Sequence, residues 1–525
     1  MSGGPTQTDV PGEDASDRRN AVRGVAWGGV ESITRAAIGL LITPLILSAF
    51  GIAGLGLWAA CWSTAQVAGL FDLGIGAIYS RFAARAIARD DADALNGTIA
   101  AGMGFHLIAT TLLAIAALVT MPSMQAALAR DTPFVGAVPT VLGCAVVAVL
   151  LRLILSVFRG VVAGAQRLDL LGRIGSGVAI LEGGGTVVII LAGGGLRGMA
   201  WNALAATALV SLLEGWAAYR LCPQLRLRPF RARRSDWREV LSFGLKVQVI
   251  RVAEILARHV PRLVLAAGPG LAVAGAYDLG SRVAAALTTA GTVPLPVIAP
   301  MATRLEARDL ALRLMALLDR STRYVALLVM PLAVLVMLDA PGLLLAWTGQ
   351  PESGGAGMAA RLLTLAAVLT LLVSPLRLTL RGIGYAGLEA IAAMVSSILH
   401  LLLAVGLAVR FQAIGVAWSA LTAAAVGALI LAVGAGETSS GRFAASLRQA
   451  TASPVLAGLA AFVAGWGLRM AVGTPATVAG ERLAALTHLV GEGIVVLVVF
   501  VAVAAATGGI RRDDLSLARI AVREA

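Results

Sequence analysis

Lysine is almost missing from this chain: Lys246 is the sole one among 525 residues, and charged residues of all kinds reach only 14%. A soluble domain carries about 25% charged residues, so an ordinary water-soluble fold is excluded. Cysteine is scarce too. Cys61, Cys144 and Cys222 share no short spacing and give neither a disulfide framework nor a thiolate metal site. No glycine-rich loop ends in Lys-Ser or Lys-Thr, which phosphate cradling in an ATPase requires; the runs at Gly183-Gly184-Gly185 and Gly193-Gly194-Gly195 lack that ending. The polar stretches are too short for a soluble catalytic domain. Short alternating apolar-polar segments are missing, which excludes a membrane β-barrel. Four histidines, His106, His259, His400 and His488, are scattered and suggest no metal set.

What is abundant is apolar. Hydrophobic residues make up 58% and the mean hydropathy is +0.86. Tracts of roughly 20 apolar residues recur, each long enough to cross a hydrocarbon core of about 30 Å as a helix. Hydropathy gives about fourteen of them. The net charge of +13 comes from arginine, placed mostly in alternate loops. Counting those loops puts 28 arginines on one side and 7 on the other. The bias places both termini in the cytoplasm and makes the basic charge a topology signal rather than a nucleic-acid footprint. The first twenty residues are polar and read as a disordered tail without a cleavable signal. The expected location is the bacterial inner (cell) membrane, as a multi-pass protein.

The chain also repeats itself. Arg85-Ala86-Ile87-Ala88-Arg89-Asp90 returns as Arg304-Leu305-Glu306-Ala307-Arg308-Asp309. Gly198-Met199-Ala200-Trp201-Asn202-Ala203-Leu204 returns as Gly415-Val416-Ala417-Trp418-Ser419-Ala420-Leu421, and Leu151-Arg152-Leu153 as Leu376-Arg377-Leu378. Three pairs in one order imply two related halves. The expected fold is therefore all-α and integral to the membrane. About fourteen helices form two six-helix lobes, related by a pseudo-two-fold along the membrane normal, plus two C-terminal helices. The divisions are a tail at 1–22, an N-lobe at 23–220, an Arg-rich cytoplasmic linker at 221–239, a C-lobe at 240–435, helices thirteen and fourteen at 436–508, and a tail at 509–525. Related halves in a membrane protein put the substrate site between them at mid-depth.

Ionisable groups at that depth are costly unless they face a cavity or a partner. Arg35, Arg152, Lys246, Arg251, Arg258, Arg282 and Arg377 are the basic candidates. Glu31, Asp72, Glu182, Glu214, Glu254, Asp278, Glu389 and Glu492 are the acidic ones. Arg251, Glu254, Arg258 and Arg262 are spaced 3, 4 and 4, so they share one helix face. One acid among three bases leaves that stripe positive, and it is expected to line a wet chamber between the lobes. Glu31–Arg35 and Asp278–Arg282 are four apart, which suits either a cavity role or internal pairing. Arg152 and Arg377 occupy equivalent places, and snorkelling toward the interface is their expected role. Asp72 suits capping at a helix break, and His259 adjoins Arg258 and Pro261.

Two segments carry a resemblance. Phe50-Gly51-Ile52-Ala53-Gly54-Leu55-Gly56-Leu57-Trp58, followed by Phe71-Asp72-Leu73-Gly74-Ile75-Gly76 and Arg81, resembles the N-terminal signature of the polysaccharide-biosynthesis flippases. The run from Phe158-Arg159-Gly160 through Gln166-Arg167-Leu168-Asp169 to Leu171 resembles that family's segment after the fourth helix. The family lies in the multidrug/oligosaccharidyl-lipid/polysaccharide exporter superfamily. The likeness spans about helices one to twelve; near-absence of lysine is a departure from it. It implies a V-shaped pair of lobes with alternating access. It also implies, as cargo, a polyprenyl-pyrophosphate-linked oligosaccharide moved from the inner to the outer leaflet. Such a cargo needs arginine forks for its phosphates. The substrate-binding candidates are then Arg35, Arg251 and Arg258, with Lys246 and Arg282. Glu31, Glu254, Asp278, Asp72 and His259 are cavity or coupling candidates. No catalytic residue, metal or cofactor is expected. The expected partners are the lipid-linked glycan, membrane lipids and a glycan polymerase or glycosyltransferase, with no nucleic acid. The competing readings are a cation-coupled multidrug or small-molecule exporter of the same fold, and a multi-spanning glycan polymerase or ligase.

Overall fold

The computed structural model describes residues 15–68, 75–89, 91–130, 132–229, 232–293, 295–308, 310–352, 354–438, 442–472 and 482–510. Among these residues there are fourteen α-helices and no strand. The first six are α1 (Ala15–Ala68), α2 (Ile75–Ala88), α3 (Ala92–Leu128), α4 (Val138–Gly164), α5 (Leu168–Leu191) and α6 (Gly195–Leu221). The next six are α7 (Arg234–Ala267), α8 (Leu271–Thr292), α9 (Ile298–Glu306), α10 (Ala311–Thr348), α11 (Ala356–Gly382) and α12 (Ala386–Thr438). The last two are α13 (Arg442–Val472) and α14 (Arg482–Ala506).

Helices and membrane crossings do not correspond one to one. At 54 residues α1 would be roughly 80 Å long, far more than one bilayer crossing takes. Gly51 breaks it with φ 64° and ψ −175°, a conformation that glycine adopts without penalty. In the same way Gln412, at φ 50°, divides the 53-residue α12. Conversely, α8 and the short α9 follow one another around a 3₁₀ turn at Leu295–Val297. Ten described helices are long and apolar enough to cross a membrane. Large exposed apolar side chains such as Leu41, Leu118, Val188 and Val409 suit a lipid-facing surface.

The cores show how the halves meet. The largest apolar cluster gathers Leu47, Leu55 and Leu142 from the first half with Leu265, Leu271, Tyr277, Leu344 and Leu362 from the second. It lies at the end of the bundle that carries Gly51 and Leu271. Away from that end each half has its own core. Tyr79, Ile99, Val157 and Val161 form one in the first half, and Leu318, Leu376, Leu380 and Leu431 form one in the second. The halves therefore share one core at that end and have mostly their own cores elsewhere, with Trp237 of α7 packing on the first-half core.

The fusion rests on close backbone approach. A Cβ on Gly56 would lie 1.8 Å from the Leu271 carbonyl oxygen, and one on Gly275 would lie 2.1 Å from that of Ile52. Small residues allow this contact in a membrane, where association depends on packing rather than on water exclusion. Polar bonds cross the same seam. Trp347 Nε1 donates to the Leu40 carbonyl at 2.8 Å, and Gln350 Nε2 to that of Leu47 at 3.1 Å. The appended helices α13 and α14 pack against each other and against α10.

Candidate functional site

The α7 helix touches two large cavities, one on each side of the seam. The first, about 560 Å³, is walled by α7, α8, α11 and α12 of the second half. Arg258 and Arg262 project into it from α7, Arg377 from α11 and Glu389 from α12, among hydroxyls such as Ser281, Thr288, Thr370 and Ser396. Asp278 is buried and ties down two arginines at once. Arg262 Nε donates to its Oδ1 at 2.8 Å, and Arg282 Nε to its Oδ2 at 2.9 Å. Arg262 also reaches Ser281 Oγ at 2.9 Å and the Arg258 carbonyl at 2.8 Å. Buried Glu389 accepts from Arg381 and lies 3.6 Å from Arg377. Residues four apart share a helix face, which is why Arg258 and Arg262, or Arg377 and Arg381, arrive in pairs.

Arg258 differs from the rest: no carboxylate lies within ion-pair distance of it among the described residues, and its side chain is exposed. Around this cavity five guanidinium groups (Arg258, Arg262, Arg282, Arg377 and Arg381) face Asp278 and Glu389, with Glu254 within electrostatic reach of Arg381. The surplus is positive.

The second cavity, about 780 Å³, lies mostly in the first half, and among the described residues Ile255 is its contact with α7. Arg35, Arg152 and Arg159 line it, with Glu31, Glu182, Trp62 and Gln66. Here every guanidinium has a carboxylate. Arg35 Nε bonds to Glu31 Oε1 at 3.1 Å. Arg152 and Arg159 converge on Glu214, which has no exposed side-chain surface, at 3.1 and 2.9 Å. Arg159 also lies 4.0 Å from Glu31. Three arginines balance Glu31, Glu182 and Glu214.

The expected single chamber is thus corrected. Arg35 and Arg258 line different cavities, because the fused seam and α7 stand between them. The internal pairings foreseen for Glu31–Arg35 and Asp278–Arg282 are present. Arg282 additionally donates to Thr43 Oγ1 of α1 at 3.0 Å, so it also bonds across the seam. Arg152 and Arg377 do not snorkel; each is held near a buried carboxylate, Glu214 or Glu389. His259 Nδ1 lies 3.4 Å from Ser63 Oγ, again across the seam. Glu254 is exposed and lines neither cavity. Asp72 and the side chains of Lys246 and Arg251 lie outside the described residues.

Sequence reasoning missed Arg159 as a cavity residue by assigning it to a loop. In fact α4 continues to Gly164, and 152 to 159 is two helical turns on one face. It also missed a cluster at the break in α10, where Asp339 departs from helical geometry ahead of Pro341. Arg469 lies 2.7 Å from Asp339 and 2.9 Å from Glu492, and His488 lies 3.5 Å from Glu492. Arg361 and Arg469 both donate to the Leu338 carbonyl that the break frees. The ligand-type atoms of Asp339, His488 and Glu492 lie within 4.8 Å of one another, and the Arg469 guanidinium already supplies a positive charge there.

Residues 104–350, a little under half of the chain, match the family model described as polysaccharide biosynthesis protein. No curated protein matches this sequence. Among solved structures, the lipid II flippase MurJ in an inward closed conformation superposes with a TM-score of 0.68 at 11% identity, over 91% of this chain and 98% of that one. A multidrug resistance MATE family transporter of the MOP superfamily, in an inward-facing conformation, superposes with 0.61 at 17% identity, over 80% of this chain and 100% of that one. A MOP-superfamily transporter from Pyrococcus furiosus gives 0.54 at 17%, over 79% and 94%. At these identities the likeness concerns architecture. The sequence resemblance to the polysaccharide-biosynthesis family has its counterpart in the matched segment, and the chain is an all-helical membrane protein with the fold of the MOP-superfamily transporters.

Proposed function

We propose that the protein is a flippase that moves a polyprenyl-pyrophosphate-linked oligosaccharide from the inner to the outer leaflet by alternating access. The observation that carries this reading is the positive surplus of the second-half cavity, with Arg258 meeting no carboxylate among the described residues. Arg258 and Arg377 present guanidinium forks into a wet space, and such forks bind phosphate oxygens in bidentate fashion. Arg262 and Arg282, fixed by Asp278, keep the local field positive without meeting the cargo directly. The fused seam at one end and separate cores at the other suit a head-group path reached from the inner leaflet, with the prenyl tail left in lipid. A basic cavity disfavours an organic cation, which sets the multidrug reading second. The matched polysaccharide-biosynthesis segment supports the glycan class of cargo.

No bond is made or broken on this path, so no nucleophile is required. The test is export of surface polysaccharide in cells whose protein carries Arg258→Glu with Arg377→Glu. At unchanged membrane abundance, export should be lost. Export at the level of the unmodified protein would reject the reading.

A further inference from the structure

The two cavities differ in charge, and that difference divides a cargo with two chemically distinct parts. Resting on the reading just given, we infer that the first-half cavity is a separate station for the neutral sugar portion, while the second-half cavity holds the pyrophosphate. The first-half wall carries Glu31 and Glu182, and carboxylates facing a pyrophosphate would repel it. The same wall suits hydroxyl groups, each of which donates and accepts. Arg35, Arg152 and Arg159 are committed to carboxylates through some of their N–H groups, and a guanidinium has five. Each carboxylate keeps lone pairs beyond those its arginine uses. Gln66 is exposed, and its amide brings both a donor and an acceptor.

Trp62 adds the apolar counterpart. It lies on the wall beside the charged pairs and leans on Trp58 at 5.7 Å between ring centroids. A flat indole offers a platform for the C–H face of a pyranose, and its rim of acids, bases and amide reads the hydroxyls. At about 780 Å³ the space falls in the range of roughly 300 to 1,000 Å³ that encloses a drug-sized ligand, enough for a short oligosaccharide. The second-half cavity lacks this combination: alanine predominates around its arginines, Glu389 is its lining carboxylate, and among the described residues no tryptophan lines it.

The experiment compares two ligands on the full-length protein in lipid nanodiscs. One is bare undecaprenyl pyrophosphate. The other is the pool of glycan-bearing undecaprenyl pyrophosphates extracted from cells that make this protein. The unmodified protein should bind the glycan-bearing pool at least tenfold more tightly than the bare carrier. In the triple variant Trp62→Leu, Gln66→Leu, Glu182→Gln, that preference should fall to near one, while the Kd for the bare carrier stays within about twofold. Retained bare-carrier binding shows that the variant is folded. In Arg258→Ala both affinities should weaken together, with the preference intact. A preference that survives the triple variant, or equal binding of both ligands by the unmodified protein, overturns the sugar station and leaves the flippase reading standing. Failure of the unmodified protein to bind either ligand rejects the flippase reading, and the station with it.

Discussion

The two halves carry repeated sequence motifs yet differ in how they use their charges. In the first half, three arginines meet three carboxylates around the cavity, and wholly buried Glu214 anchors two of them. In the second, five arginines meet fewer acids, and Arg258 meets none among the described residues. Arg152 and Arg377 occupy matching places in the repeat, yet their buried partners do not: Glu214 lies late in α6, whereas Glu389 lies in the first turn of α12. Each half thus holds a pair of arginines on a buried glutamate placed in its own way, and the charge left over differs between the two. Two halves with identical cavities would handle identical chemistry; unequal ones can handle a cargo with an anionic part and a neutral part.

The largest expected effect tests the two buried glutamates. Glu214→Gln and Glu389→Gln each leave two arginines without their buried counter-charge. The arginines left behind are a third to a half exposed, so the loss falls below the roughly 3–5 kcal/mol of a fully buried pair, and both variants should unfold at lower temperature in detergent. If only one of them does, the two glutamates are not equal anchors of their halves. A smaller effect concerns the seam. In Gly56→Ala the new methyl meets the Leu271 carbonyl at 1.8 Å before relaxation. Overpacking of this kind costs about 1–3 kcal/mol, and it should push the halves apart at the fused end. A cysteine placed at Thr43 in a background lacking Cys61, Cys144 and Cys222 should then react with a water-soluble maleimide several-fold faster. An unchanged rate would show that the seam does not depend on this contact.

Much of the fold was legible in the sequence, for a physical reason. A span must be apolar over about 20 residues, so the crossings announce themselves. The i,i+4 pairs Glu31–Arg35 and Asp278–Arg282 follow from helix periodicity alone. Contacts between helices do not follow. Arg152 meets Glu214 across 62 positions, and Arg262 meets Asp278 across 16, so no local pattern reports them. The helix breaks were equally hidden. Gly51 sits in a glycine-rich run where any of several residues suits a break, and Gln412 carries no turn signal at all. The division into two cavities depends on where α7 lies relative to the seam, a tertiary fact that a charged stripe on one helix cannot supply.

Binding of undecaprenyl pyrophosphate to the protein in nanodiscs tests the charge asymmetry most directly, with Arg258→Ala and Arg35→Ala compared side by side. A charge-assisted hydrogen bond contributes about 1.5–3 kcal/mol, so the account predicts that Arg258→Ala weakens binding by roughly ten- to a hundredfold. Arg35→Ala, whose arginine is already matched by Glu31, should change the Kd by less than about twofold. Equal losses in the two variants, or a loss confined to Arg35→Ala, would contradict it.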